Sequence, residues 1–501
     1  MFLTHHPSSF IPHPSHENSL HPSKWRNSQY SHLMLSLLPI FSLAQIIPVP
    51  TSPPTPTPVQ EQVVQPQEVR PLPGQLDRVP VFNSNSPEVI QTPGILLSTF
   101  PGLGTAFPGA HLNLALVGRF DLFAHHIARA STSEEWRPMY LGVIVYNPGT
   151  QPVVLDILQA VSYLTNPDAP FIELPPYTDN SLGTVYSGPG SRVMTDILRG
   201  VHQSTFPSQI FIPPRQSQML LNLPIALGNC RSTLMRLRSS APVYIASLAM
   251  QAPLNPNFKE EDKKPDDPLL PPPLPYRPPT LAEWQQLLIF SNLAGPRDRI
   301  PTPPWQTNGE IVYSRVAGVS LGSQWRSEVV DSPGQRYLSI PQPGKAFSYP
   351  LSTVPVVTLG TGQVQSAPML VRYPDTAYGG HGNYGVHYHL ILPLVNNTSE
   401  FQSVTLAIQT PLKQDNRTDG LRFIEPPDRQ VFFRGTVQIR YNDDRGIPRT
   451  HLVHLVQRRG QQGEPLIRLN MPPGDRRLVE VDFLYPPDAT PPQVLTVRTL
   501  K

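Results

Sequence analysis

The chain has a single cysteine, Cys230, in 501 residues. An internal disulfide is therefore impossible, and Cys-x-x-Cys zinc patterns and disulfide scaffolds are excluded. Cys230 itself reads as a small buried side chain, and it lies too far into the chain to serve as a lipid anchor. Charge is also scarce, at 15% of residues with a net of +3. No long Lys/Arg run or basic stripe with interleaved aromatics occurs, so a nucleic-acid partner is not expected. No apolar run reaches the ~20 residues that a membrane-spanning helix needs. Long helices are disfavoured as well: the 65 prolines are roughly 13% of the chain against a usual ~5%, and each interior proline costs a helix about 3 kcal/mol.

What is present points to strands. Apolar residues make up 39% of the chain, enough for real cores, and proline and glycine supply turns between short strands. Residues 140–146 form an apolar run, Asn147-Pro-Gly-Thr150 is a turn by its chemistry, and Val153, Leu155 and Ile157 then recur at period 2. Val386, Tyr388, Leu390, Leu392 and Leu394 alternate in the same way before the turn 396–399, with Val404, Leu406 and Ile408 beyond it. The halves echo each other further on. Ile212-Pro-Pro and Met471-Pro-Pro each feed a new strand, 66 and 76 residues past the asparagine turns when measured from Asn147 to Pro213 and from Asn396 to Pro472.

The expected fold is all-β: two antiparallel β-sandwich (immunoglobulin-like) domains, with a Pro-rich linker and one short helix between them. The expected division is an N-terminal extension and signal peptide (1–44), a Pro-rich linker (45–77), a first sandwich (78–252), a Pro-rich linker with the helix (253–308) and a second sandwich (309–501). The export signal is residues 33–44 (LMLSLLPIFSLA), a short uncharged apolar run that follows Lys24 and Arg26 and ends in small residues. Met34 offers an alternative start. The helix is marked by a capping box at Thr280–Glu283 and an apolar face of Leu281, Trp284 and Leu288, with Gly295 expected as its C-cap.

Five constellations carry possible chemistry or binding. Gly318-Val-Ser320-Leu-Gly322 matches the G-x-S-x-G nucleophile elbow, which requires a strand, a sharp turn and then a helix; the surrounding pattern does not alternate strands with helices. Gly380-His-Gly382-Asn-Tyr-Gly385 matches G-x-G-x-x-G, but it opens into a strand and not into the helix N-terminus that a phosphate needs. It is read as a glycine-rich loop. His381, His387 and His389 are the candidate metal ligands: residues 387 and 389 share a strand face about 7 Å apart, and 381 offers a third ligand from the loop. The apolar opposite face equally suits two exposed polar histidines. His125 and His126, adjacent in sequence, should point to opposite faces. Trp305, Trp325 and Tyr378 could stack on sugars or fill the core. No catalytic set and no cofactor motif is assigned.

Residues 67–77 (QEVRPLPGQLD), 80–88 (PVFNSNSPE), 120–129 (FDLFAHHIAR), 367–378 (APMLVRYPDTAY) and 456–465 (VQRRGQQGEP) resemble one uncharacterised cyanobacterial family, the domain-of-unknown-function family numbered 3370. The resemblance covers about residues 65–500 and implies export, with no family activity or catalytic residue to carry over. The expectation is thus an exported envelope protein in the periplasm, outer membrane or medium. Its role would be non-enzymatic, with an envelope polysaccharide or envelope protein as partner and no transmembrane helix in the mature chain. A β-scaffold hydrolase or carbohydrate-active enzyme is the rival expectation, and a metal-binding envelope protein is the third.

Overall fold

Alternation decides the structure locally. In the strand His387–Val395 every second residue is buried, with Tyr388, Leu390, Leu392 and Leu394 inside and His387 and His389 on the other face. The computed structural model describes residues 60–259, 274–415 and 420–501. The export signal at 33–44, the prolines 48–58 and most of the proline-rich insert after Lys259 lie outside the described residues. The described residues are mostly strand, in sheets of two, five, eight and twelve strands, with two α-helices.

One arrangement occurs twice. In the first half, Met139–Tyr146 pairs antiparallel with Ser217–Ile225, and Val153–Leu164 pairs antiparallel with Gln209–Ile212. In the second half, His387–Val395 pairs with Arg476–Leu484, and Gln402–Gln409 pairs with Ile467–Met471. The asparagine turn and the Pro-Pro turn are the two corners of each arrangement: in the second half they carry the chain between the eight- and five-stranded sheets, and in the first between two parts of the twelve-stranded sheet that share the long strand Cys230–Gln251. One buried asparagine ties the two corners together. The Asn147 amide donates to the carbonyls of Gln151 (2.7 Å) and Ile212 (3.1 Å), and its Oδ1 accepts from the Gly149 N–H (2.8 Å). The Asn396 amide donates to Glu400 and Met471 (both 2.8 Å), and its Oδ1 accepts from the Thr398 N–H (3.0 Å). The backbone N–H of each asparagine donates to the residue four past the carbonyl before the Pro-Pro pair, Gln216 or Asp475. Both side chains have zero exposure, where unpaired amides would be costly.

Two large cores follow from this. One gathers Phe82, Phe120, Leu141, Leu155 and Leu237; the other gathers Tyr388, Leu406, Val437, Phe483 and Val497. Backbone pairing also crosses between the halves. Ala317–Leu321 pairs with Pro80–Ser84, and Tyr177–Asp179 pairs with Pro448–Arg458. Within the stretch expected to be linker, Glu61–Gln65, Glu68–Val69 and Gln75–Leu76 are strands paired to the second half.

The expected helix, α2 (Leu281–Phe290), starts with the Thr280–Glu283 capping box and buries Trp284, Leu287 and Leu288. It ends at Phe290 with Ser291 as C-cap, so Gly295 is not the cap. Trp284 lies flat on Gly142, where an added Cβ would come within 2.4 Å of the indole. A second helix, α1 (Pro189–Leu198), was not expected. It packs on strands of both halves, including Val153–Leu164 and Val431–Asn442. Its Thr195 hydroxyl donates to Thr436 Oγ1 at 2.8 Å.

Candidate functional site

The loop 379–385 sits where the strand Ala367–Arg372 meets His387–Val395, and its glycines are there for space. A Cβ on Gly382 would fall 2.4 Å from the Tyr384 ring, and one on Gly385 (φ +83°) would fall 2.8 Å from Leu234. Asn383 pins the loop from inside: its amide donates to the Gln365 carbonyl (2.8 Å) and its Oδ1 accepts from the Ala367 N–H (3.2 Å). The loop opens into a strand, as read from the sequence.

Three cavities border this loop. The main one, about 180 Å³, is walled by Asn83, Asn85, Ser314, His381, Tyr384 and Lys413 among others. A second, about 100 Å³, is lined by prolines 301, 303, 304 and 355 with Tyr378, and it shares Tyr313 and His381 with the first. A third, of only about 10 Å³, shares Asn83, Asn383 and Tyr384. The Tyr313 and His381 rings, 4.6 Å apart, form the partition between the first two.

The walls of the main cavity are largely apolar, with polar groups among them that are incompletely satisfied. Asn83 Oδ1, Asn85 Oδ1 and Ser314 Oγ are buried with no hydrogen-bond partner among the described residues. Buried polar atoms are nearly always paired, and these three belong to residues that line one cavity. His381 contacts Ser366 Oγ through Nδ1 (3.0 Å), and burial lowers its pKa to about 4, leaving it neutral at pH 7. Lys413 reaches solvent at the rim, but crowding by protein and then Arg459 lower its amine to about 8. Arg315 is held by Glu88 at 2.6 Å. Beside the cavity Asp488 has an unpartnered buried Oδ2, and burial pushes its carboxyl up to about 6. These groups can accept from and donate to hydroxyls, beside aromatic faces.

The structure divides the histidine trio. His387 and His389 come together on the outer sheet face, where both touch Asp482 Oδ1, at 2.9 and 2.6 Å. His381 lies away from them in the loop cavity. Glu480 joins His389 and Asp482, with one ligand atom from each within 4.8 Å of the others. Sequence reading missed the asparagines 83 and 85, which stand in a short polar run ending a strand, and it missed the carboxylate partners, which come from 90 residues or more along the chain.

The other motifs resolve as packing. Ser320 is buried inside the strand Ala317–Leu321, paired to strands on both sides, where a nucleophile elbow needs a strand-to-helix turn. His125 and His126 face opposite ways and are fully desolvated. His125 meets Ser232 Oγ at 2.6 Å and Cys230 Sγ at 3.5 Å; His126 meets Ser84 Oγ at 2.9 Å. Burial brings them down to about 3 and about 4 and pushes the Cys230 thiol up. Trp325 is in the core and donates to the Pro73 carbonyl, whereas Trp305 is 80% exposed between residues that line the proline-walled cavity.

Among the described residues no helix is long and apolar enough to cross a membrane. Fold and site together define a class: a strand-dominated protein of several open sheets, with a pocket of mixed polar and apolar walls at a glycine-rich loop. Residues 67–499 match the family described as Protein of unknown function (DUF3370), and the chain belongs to that family. Comparison with curated proteins returned no match.

Proposed function

We propose that this is an exported, non-enzymatic binding protein of the cell envelope, whose loop pocket takes one unit of a hydroxyl-rich ligand such as an envelope polysaccharide. The observation that carries the reading is the set of three buried, unpartnered polar atoms around one cavity, on Asn83, Asn85 and Ser314. Amides and hydroxyls recognise sugar hydroxyls directionally, the Tyr313 and Tyr384 rings line the pocket itself, and exposed Trp305, beside the neighbouring proline-walled cavity, can stack on a further unit. Lys413 at the rim favours a ligand with an anionic substituent. The compartment rests on the apolar run 33–44 behind Lys24 and Arg26. The repeated corner arrangement supports reading the two cores as two immunoglobulin-like sandwiches.

The test is calorimetry or a glycan array with neutral and acidic oligosaccharides, comparing wild type with Asn85→Ala, Trp305→Ala and Lys413→Met. Binding that falls in all three variants supports the pocket. Binding unchanged in all three, or absent in wild type across the panel, refutes it. Fractionation of the native host with sequencing of the mature N-terminus tests export separately: a start at Gln45 outside the cytoplasm supports it, and an intact N-terminus in the cytosol defeats it.

A further inference from the structure

We propose a second, independent site: a divalent transition-metal site for Zn²⁺ on the outer sheet face, formed by His389, Glu480 and Asp482, in which Arg440 is a resident cation that the metal displaces. Strand register builds it. His389 pairs directly with Asp482 on the neighbouring strand, and Glu480 lies two residues from Asp482 on the same face. Across the next ladder Arg440 pairs with Glu480. Its Nη2 donates to Glu480 Oε2 at 2.6 Å and to Asp482 Oδ2 at 2.9 Å. A positive charge therefore already sits between the two carboxylates.

Arg440 is displaceable. Its side chain is 44% exposed, and it lines an open cavity of about 440 Å³ that gives it room to turn away. Asp482 cannot move in the same way. It is nearly buried, and His387 on the far side of its Oδ1 holds it in place. One imidazole nitrogen and two carboxylate oxygens, with a side open to water, form a three-ligand set of the kind that binds Zn²⁺ and leaves a water position. The all-oxygen shells that Ca²⁺ prefers are not available here.

The competition gives the proposal its test. Zn²⁺ is titrated by calorimetry into the full chain, wild type and variants, with circular dichroism confirming fold. The N-terminal histidines 5, 6, 13, 16, 21 and 32 also bind zinc, so the site is counted as the difference between wild type and His389→Ala. Wild type should show one zinc that is lost in His389→Ala and in Glu480→Gln and kept in His381→Ala. Arg440→Gln should bind that zinc severalfold, up to about tenfold, more tightly, the scale of one exposed ion pair removed from competition. The proposal is overturned if His389→Ala titrates like wild type, if Arg440→Gln gains nothing, or if zinc binds only in the Arg440 variant.

Discussion

Truncating Asn396 to alanine removes a side chain with zero exposure. That side chain donates to two backbone carbonyls, Glu400 and Met471, and accepts from the Thr398 N–H and hydroxyl. A net hydrogen bond is worth about 1 kcal/mol, and more where a buried partner is left unsatisfied. Four bonds therefore set the loss at about 3–4 kcal/mol, at the upper end for a point mutation. The neighbouring Asn397 is exposed and makes one side-chain bond, to Ser339 Oγ; its alanine variant should stay within about 0.5 kcal/mol of wild type. Urea unfolding reads the difference as a lower midpoint at unchanged slope. Asn147 makes three of these four bonds, lacking the hydroxyl, and adds a contact to the Pro213 carbonyl, so Asn147→Ala should cost a similar amount. If Asn396→Ala unfolds with the Asn397→Ala control, the corner side chains are not what holds the sheets together, and the reasoning fails.

Acid should weaken the fold between about pH 6.5 and 4. His125, His126 and His454 are buried and held at about 3, 4 and 4 by desolvation; the unfolded chain takes up their protons first as pH falls, at up to about 1.4 kcal/mol per proton per pH unit. His381, at about 4, adds to them, while Asp488, at about 6, and the raised Asp121 work in the opposite direction, so a urea midpoint at pH 5 equal to or above that at pH 7.5 would show that histidine desolvation does not dominate the acid response. Trp284→Ala should cost about 3–5 kcal/mol by emptying the space against Gly142, and a loss under 1 kcal/mol on urea unfolding would contradict that packing. Thr280→Ala should remove the capping hydroxyl of α2 for about 1 kcal/mol, seen in the same assay. In the binding assay, Lys413→Met should weaken acidic oligosaccharides more than neutral ones; equal loss would mean that the rim charge is not recognised.

Period 2 made the strand at 387–395 legible, and hydrophobic spacing behind a capping box made α2 legible, because both signals are local. The helix α1 was hidden by its opening Gly188-Pro189-Gly190 and by its polar residues Ser191, Thr195 and Asp196, which tertiary contacts bury in spite of their chemistry. The strands from Glu61 onward were masked by prolines: pairing partners such as Leu421–Glu425 lie some 360 residues away, beyond any local pattern. The same distance hid the site. His387 and His389 announced themselves by alternation, but Asp482 and Glu480 become their neighbours only through sheet register. Asn83 and Asn85 became distinctive only once burial left their oxygens without partners.

The buried asparagines fasten together points far apart in the chain, Asn147 to Ile212 and Asn396 to Met471. Each segment between those points leaves a corner and returns to it with its base already closed. In the first half the excursion carries α1; in the second it carries three strands, Leu421–Glu425, Val431–Asn442 and Pro448–Arg458. Closing a longer loop costs little extra entropy, so a bracket fixed at its base tolerates new cargo. The strands and the helix of these excursions belong to the fold, since Val437 and Val453 enter the second core and α1 bonds Thr436, so the place for a grafted module is an exposed turn such as Asp443–Ile447.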